Sequence, residues 1–396
     1  MKSLLSIEEP PAAPMRGFAL WDLGFRPFYL LASVFAALSI PLWALQFSGL
    51  LGHPYLNGPI WHAHEMVFGF TLAVIVGFLF TAGRNWANQP TPTGWTLGGL
   101  AALWLAARIL VLTPFAIAAA AVNIAFPLAA AIALAIPFAR SGNRRNYFFV
   151  GLLALLSVAA GVVHLSQLAV IDLPPMPGIE VALDVVLFIV TVMSGRVIPM
   201  FTNNGVPGAG ASRNAWVEKA ALGLVLGLLV ADALGLKGTI PASLAIVGCA
   251  AHAWRWMLWR PWKTRRAPLV WVLHLAYLWI PVHLALRALA EFGVATQSSA
   301  THALTVGAAG GLIIGMMTRT TRGHTARALL ADRFDTACYL LVFLAAVVRV
   351  GVPLFSPAHT IPAVLCSAFL WSAGFGLFAV RYGPALFRPR LDGKAG

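Results

Sequence analysis

Twelve long apolar runs restrict the fold of this chain more than any other feature of its sequence. A helix needs roughly 20 apolar residues to cross a bilayer core of about 30 Å. The runs are too long and too uniformly apolar for the alternating strands of a membrane barrel. We therefore predict an all-α, polytopic membrane protein with about twelve transmembrane helices. The predicted spans are residues 25–47, 61–82, 94–112, 116–138, 147–169, 180–198, 215–235, 240–259, 268–290, 301–320, 334–354 and 358–381.

The composition excludes the main alternatives. Of the 396 residues, 60% are hydrophobic and only 10% are charged, whereas soluble domains carry about 25% charged residues. Such a chain cannot cover itself with a polar surface, which excludes a soluble enzyme and a disordered protein. Its three cysteines all lie in apolar runs and form no C-x-x-C motif. This excludes a disulfide framework and a cysteine-based zinc site.

The basic residues predict the topology. With twelve spans, 23 of the 27 lysines and arginines fall on one side, which is the cytoplasmic side by the positive-inside rule. We expect a cytoplasmic segment at 1–24, a single membrane domain at 25–381 and a cytoplasmic tail at 382–396. The first residues are acidic and proline-rich, so we expect no signal peptide. The net charge of +14 thus reports orientation and does not indicate a nucleic-acid partner.

Five histidines are predicted to lie at one depth, near the outer face of the membrane. Two more, His252 and His274, are predicted to lie nearer the cytoplasmic side. Ligand-type side chains inside a bilayer are costly and usually face the protein interior with a function. Neutral imidazole binds haem iron and copper; the alternative is that these rings only hydrogen-bond helix ends. The histidines predicted near the outer face, and proposed as metal ligands, are His62, His64, His164, His283 and His302.

The second span begins W-H-A-H-E-M. In a helix, residues two apart point about 200° apart, so His62 and His64 cannot both face one small ion, although they can serve neighbouring centres. Glu65 shares a face with His62. It is our candidate catalytic residue, as a proton carrier; it can also be a metal ligand or hold an imidazole. The simpler alternative is a favourable charge at a helix N-terminus.

The second and tenth spans repeat one pattern. His64 and His302 are each followed by glycine at offsets 5 and 13 and by arginine at offset 20. Glycine allows close approach of a helix or a flat macrocycle, so these two histidines could clamp a haem between them, with His62, His164 and His283 near a copper ion. The alternative is coincidence in a chain with 36 glycines.

Two further sets complete the candidate cofactor residues. His252 and His274, surrounded by tryptophans, could hold a second haem, or could belong to an interfacial aromatic belt. Arg26, Arg196 and Arg319 lie at predicted cytoplasmic ends of spans. Each could bind a haem propionate through its planar guanidinium group, or could serve as an ordinary positive-inside anchor.

Several motifs resemble those of the NnrS family. They are G-F-R-P-F-Y, W-H-A-H-E-M-V-F-G-F, G-F-L-F-T-A-G-R-N-W, R-V-I-P-M-F-T-N-N and H-A-L-T-V-G-A through M-T-R-T-T-R-G-H-T-A-R. They extend from about residue 24 to residue 327, and their order and joint presence are fairly specific. The residues that fall on motif positions are His62, His64, Glu65, Arg196, Asn203, His274, His302, Arg319 and His324.

The resemblance implies a bacterial inner-membrane protein with haem (b-type, one or two groups) and copper. It also implies a role in the response to nitric oxide during denitrification or nitrosative stress. Binding or reductive conversion of nitric oxide by an oxidoreductase would need an electron donor, which the sequence does not identify. Two alternatives stay open: a twelve-span secondary transporter that uses histidines for proton or metal-ion coupling, and a structural partner of a respiratory complex.

Overall fold

The structure is a computed structural model, and it describes residues 17–47 and 54–394. Within these ranges the chain is helical and forms no strand, which confirms the all-α prediction. His53 and most of the predicted N-terminal segment lie outside the described residues.

Twelve long helical segments follow one another along the described chain. Nine of them are long and apolar enough to cross a membrane. The other three are α3, which has only 17 residues, α7, which carries three charged residues, and α8, which carries His252 and Arg255. The helices are α1 Phe25–Phe47, α2 Gly58–Ala87, α3 Gly94–Leu110, α4 Ala116–Ser141, α5 Tyr147–Gln167, α6 Met176–Gly205, α7 Ala215–Ala233, α8 Thr239–Leu258, α9 Pro268–Glu291, α10 Gln297–His324, α11 Arg333–Phe355 and α12 Thr360–Phe387.

Capping residues explain several of the helix ends. The Asn214 side chain accepts from two backbone N–H groups at the start of α7, and Asp332 and Asp335 form a reciprocal capping box at the start of α11. Such caps satisfy backbone donors that the helix leaves open and contribute about 1 kcal/mol each. Gly142, at φ 63°, ends α4 in the left-handed conformation that glycine adopts most easily.

The chain divides into two compact units. Unit 1 contains α1 to α5 with residues up to 185, together with residues 320–327 and 379–396. Unit 2 contains residues 186–319 and 328–378, and therefore α7, α8, α9 and α11. The division falls inside α6, α10 and α12.

Helices α2 and α10 share a distortion that the apolar pattern does not reveal. Each contains a π-helical stretch, Glu65–Thr71 in α2 and Ala303–Gly310 in α10, directly after His64 and His302. In α2 the Thr71 hydroxyl donates to the Met66 carbonyl five residues earlier, at 2.8 Å. Because π stretches are rare and often mark functional sites, the shared position extends the repeat found in the sequence.

Candidate metal centre

Two histidine rings of unit 1 face each other inside the protein. His64 Nε2 lies 3.1 Å from His164 Nε2, and both residues are fully buried. His64 comes from the turn of α2 that precedes the π stretch, and His164 comes from the last turn of α5. The structure therefore brings together two of the five predicted outer histidines.

A carboxylate holds the His64 ring. Its Nδ1 lies 2.8 Å from Glu65 Oε1, and a carboxylate can only accept, so Nδ1 carries the proton. In a neutral ring, Nε2 then carries the lone pair and aims it at His164. Metal-binding histidines usually have this arrangement, with the second ring nitrogen donating to a carboxylate or a carbonyl.

Tyr55 holds the His164 ring from its other side. The Tyr55 hydroxyl lies 3.2 Å from His164 Nδ1 and 3.2 Å from the His164 carbonyl oxygen. If the hydroxyl donates to the carbonyl, it accepts from Nδ1–H, and two lone pairs then face each other across the gap. If it donates to Nδ1, His164 Nε2–H donates to His64. In the first arrangement a cation held by both nitrogens would relieve the repulsion.

The gap between the rings fits a metal ion. Two imidazole nitrogens that are each about 2.0–2.1 Å from one ion can be at most about 4 Å apart. The observed 3.1 Å satisfies this limit and corresponds to ligands that are side by side. The described residues contain no group of three or more histidine, cysteine or acidic side chains arranged to hold a metal. The pair thus offers two ligands to a metal ion, whose other coordination positions would be available to a small molecule.

Glu65 is itself held by Arg108 of α3. Arg108 Nη1 donates to Glu65 Oε1 at 2.5 Å, and Nη2 donates to the Asn123 side-chain oxygen. Asn123 Nδ2 donates to the Ala119 carbonyl, which fixes the orientation of its amide. The contacts of Glu65 make it a support for His64. Its predicted catalytic role stays a prediction.

The other predicted outer histidines take different positions. His62 stacks on Trp43, with ring centroids 5.0 Å apart, in agreement with the expectation that it points away from His64. His283 Nδ1 lies 2.8 Å from the Ala300 carbonyl, and its buried Nε2 has no hydrogen-bond partner among the described residues. His302 is half-buried, and its Nδ1 donates to Ser298 of its own helix. Metal binding by these three stays a prediction.

The glycine faces predicted to clamp a haem are filled by protein. A Cβ atom at Gly69 would lie 2.7 Å from Arg108 Nη1, and one at Gly307 would lie 2.4 Å from the Trp279 ring. The glycines therefore admit neighbouring side chains and present no open face to a macrocycle. His64 and His302 belong to different units, and their joint ligation of haem stays a prediction.

The deeper histidines are tied into unit 2. The Thr202 hydroxyl donates to the Ile198 carbonyl and so accepts from His274 Nε2, at 2.7 Å. His274 could therefore bind a metal only through Nδ1, which is buried and unpartnered among the described residues. His252 Nδ1 lies 2.7 Å from the Tyr277 hydroxyl. His252 Nε2 is likewise buried and has no hydrogen-bond partner among the described residues, and a haem at these two residues stays a prediction.

The predicted propionate-binding arginines have structural contacts. Arg26 Nη1 donates to the carbonyls of Leu386 and Arg388 at the end of α12, at 3.1 and 2.7 Å. The Arg319 guanidinium lies 3.7 Å from the centroid of the Phe201 ring. Arg196 is half-buried. Arg26 Nε and Nη2 are buried and have no hydrogen-bond partner among the described residues. Propionate binding by all three arginines stays a prediction.

A second buried cluster in unit 2 was not predicted. Glu218 and Arg255 form a two-point ion pair, at 2.5 and 3.0 Å. Arg255 also donates to the Tyr277 hydroxyl at 3.1 Å, and this hydroxyl contacts His252. Sequence reasoning counted Arg108 and Arg255 only as topological charges. Their position inside largely apolar helices was the signal that could have identified them.

The comparisons with known proteins agree with the motifs. The family model described as NnrS protein matches residues 19–390, which is nearly the whole chain. Comparison with curated proteins gives no match. The chain, with its apolar helices and its paired histidines, belongs to the NnrS family.

Proposed function

We propose that this protein is a haem and copper membrane protein that binds or reductively converts nitric oxide, with copper held by His64 and His164. Family membership supports the cofactors and the response to nitric oxide. The observation that carries the assignment to these residues is the buried pair of imidazole nitrogens 3.1 Å apart. The proposal includes twelve spans, a bacterial inner-membrane location and both termini in the cytoplasm.

The surroundings of the pair suit a small apolar ligand. Phe68 lies beside the His64 ring, with centroids 5.0 Å apart, and Val67 and Phe70 of the π stretch are also buried. Nitric oxide is small and apolar, so it can enter from lipid without a polar channel. A bound copper ion would supply a redox-active position at which such a ligand binds. The protein's own residues orient the rings and exclude water.

Haem binding rests on the family alone. Gly69 and Gly307, two of the glycines predicted to face a haem, each lie against a neighbouring side chain. We therefore assign no haem ligand. The electron donor and nitric oxide itself are proposed partners, together with membrane lipid.

Metal and haem analysis of the purified full-length protein tests the proposal. We expect copper in the wild type, its loss in His64→Ala and in His164→Ala, and its retention in the matched control His359→Ala, which removes an exposed histidine. Anaerobic addition of nitric oxide should change the absorbance spectrum of the wild type. Copper retained in both His64→Ala and His164→Ala would contradict the assignment, and a reduced-minus-oxidised spectrum without a Soret change would exclude haem.

Secondary transport is the second candidate, because unit 2 buries two ion pairs. Glu218–Arg255 and Asp232–Arg287 lie on α7, α8 and α9, both at 2.5 Å, and buried charges in membrane helices are typical of transport pathways. The same purified protein separates the two functions. Flux of protons or metal ions into vesicles, together with the absence of both cofactors, would favour transport.

A further inference from the structure

Arg108 is the residue on which the polar contacts of the imidazole pair converge. It is 5% exposed, lies near the end of α3 and reaches the first turn of the π stretch. One side of its guanidinium contacts Glu65, and the other contacts Asn123 of α4. Three helices therefore meet at this one side chain, and the carboxylate that holds His64 is fixed from behind.

The backbone of α2 is shaped to admit Arg108. Gly69 offers no side chain at the point where Arg108 Nη1 passes, since a Cβ there would lie only 2.7 Å away. One turn earlier on α3, Trp104 Nε1 donates to the Gly69 carbonyl at 3.0 Å. The Arg108 guanidinium lies 5.8 Å from the Trp104 ring centroid. These contacts fix both the π stretch and the arginine.

We propose that Arg108 is a positioning residue for the metal centre: it holds the Glu65 carboxylate so that His64 keeps its proton on Nδ1 and directs the Nε2 lone pair toward His164. The proposal rests on the proposed function. Partners behind a metal ligand fix its ring orientation and its tautomer. A planar guanidinium directs its two Nη groups in a fixed fork, whereas a lysine ammonium group is a compact charge on a flexible stem.

A second buried ion pair provides a matched control. Arg287 donates to Asp232 at 2.5 Å, and its side chain is 5% exposed, as is that of Arg108. It lies in unit 2, whereas the His64–His164 pair lies in unit 1. Loss of Arg287 therefore removes a comparable ion pair without removing any contact of Glu65.

The experiment measures copper(I) affinity of the full-length protein by competition with bicinchoninate, together with the electron paramagnetic resonance spectrum of the oxidised copper(II) form. For Arg108→Gln we expect the Kd to rise by about 10- to 100-fold, as for other changes behind metal ligands, with an altered spectrum. Arg108→Lys should recover part of the affinity. Arg287→Gln should keep the wild-type Kd and spectrum.

Three results would overturn the proposal: an unchanged Kd and spectrum in Arg108→Gln, an equal loss in Arg287→Gln, or full recovery by Arg108→Lys. If Arg108→Gln does not fold, Asn123→Ala replaces it. That variant leaves the Glu65 contact but frees the other side of the guanidinium, and it should weaken binding in the same direction; an unchanged Kd would count against the proposal. Copper retained in both His64→Ala and His164→Ala would instead refute the proposed copper site, whatever Arg108 does.

Discussion

Each unit buries a carboxylate–arginine pair close to a histidine, and the two clusters differ in what contacts that histidine. In unit 1, Glu65 contacts His64 directly at 2.8 Å, and His64 faces a second imidazole. In unit 2, the Tyr277 hydroxyl stands between Arg255 and His252. An ion pair beside a histidine is therefore not sufficient for a metal centre, which needs in addition imidazole lone pairs that converge on one position.

Removal of Arg255 from the unit 2 cluster should have the largest effect on the stability of the protein. Arg255→Ala removes the two-point partner of Glu218 and leaves it only the longer contact with Arg213, at 3.2 Å. Breaking a buried pair costs up to about 3–5 kcal/mol. Thermal unfolding in detergent should show a large fall in Tm, with Arg265→Ala, an exposed arginine, as the control. Copper affinity of the folded Arg255→Ala protein should equal that of the wild type. A loss of copper binding would show that the two clusters are coupled, and it would refute the claim that only the unit 1 cluster binds the metal.

Glycine-to-alanine substitutions beside the two clusters should lower the Tm by less than Arg255→Ala does, and by different amounts. A Cβ atom at Gly195 would lie 1.9 Å from Arg255 Nη2. A Cβ atom at Gly69 would lie 2.7 Å from Arg108 Nη1. Overpacking of this kind costs about 1–3 kcal/mol, so we expect Gly195→Ala to lower the Tm more than Gly69→Ala. Only Gly69→Ala should also weaken copper binding. Gly151→Ala, with no atom within 4 Å of its Cβ, is the control, and equal changes in all three variants would refute the packing argument.

The smallest effect is expected at Tyr55, which is only half-buried. Tyr55→Phe removes the hydroxyl at 3.2 Å from His164 Nδ1 and should cost about 0.5–1.5 kcal/mol, the typical net value of one hydrogen bond. The Kd for copper should rise by about tenfold at most, which is less than in Arg108→Gln. If Tyr55→Phe lost more copper affinity than Arg108→Gln, Tyr55 would contribute more to the metal centre than Arg108, contrary to this account.

The sequence predicted the helices well because apolar length is a local property. The first predicted span, 25–47, coincides with α1, and the predicted 61–82 lies within α2. The offsets after His64 and His302 also predicted a repeat, which the two π stretches share. The π stretches themselves leave the apolar pattern unchanged, and sequence analysis therefore did not predict them.

The partners within the candidate site could not be predicted in the same way. His164 pairs with His64 across 100 residues, and only the tertiary structure selects it from the four other histidines at similar predicted depth. Arg108, inside the predicted span 94–112, was counted only as one of the four basic residues on the outer side, because the positive-inside argument counts charges and gives no direction to a side chain. Its place inside a 17-residue apolar helix was the observation that deserved more weight.

X-ray absorption spectroscopy of the copper-loaded protein tests the central claim most directly, because it counts the imidazoles around the metal. We expect scattering from two histidine rings in the wild type, and a copper signal in His164→Ala that has lost one ring or has disappeared. A wild-type spectrum without histidine scattering, or one unchanged by His164→Ala, would contradict the assignment of His64 and His164 as a shared metal site.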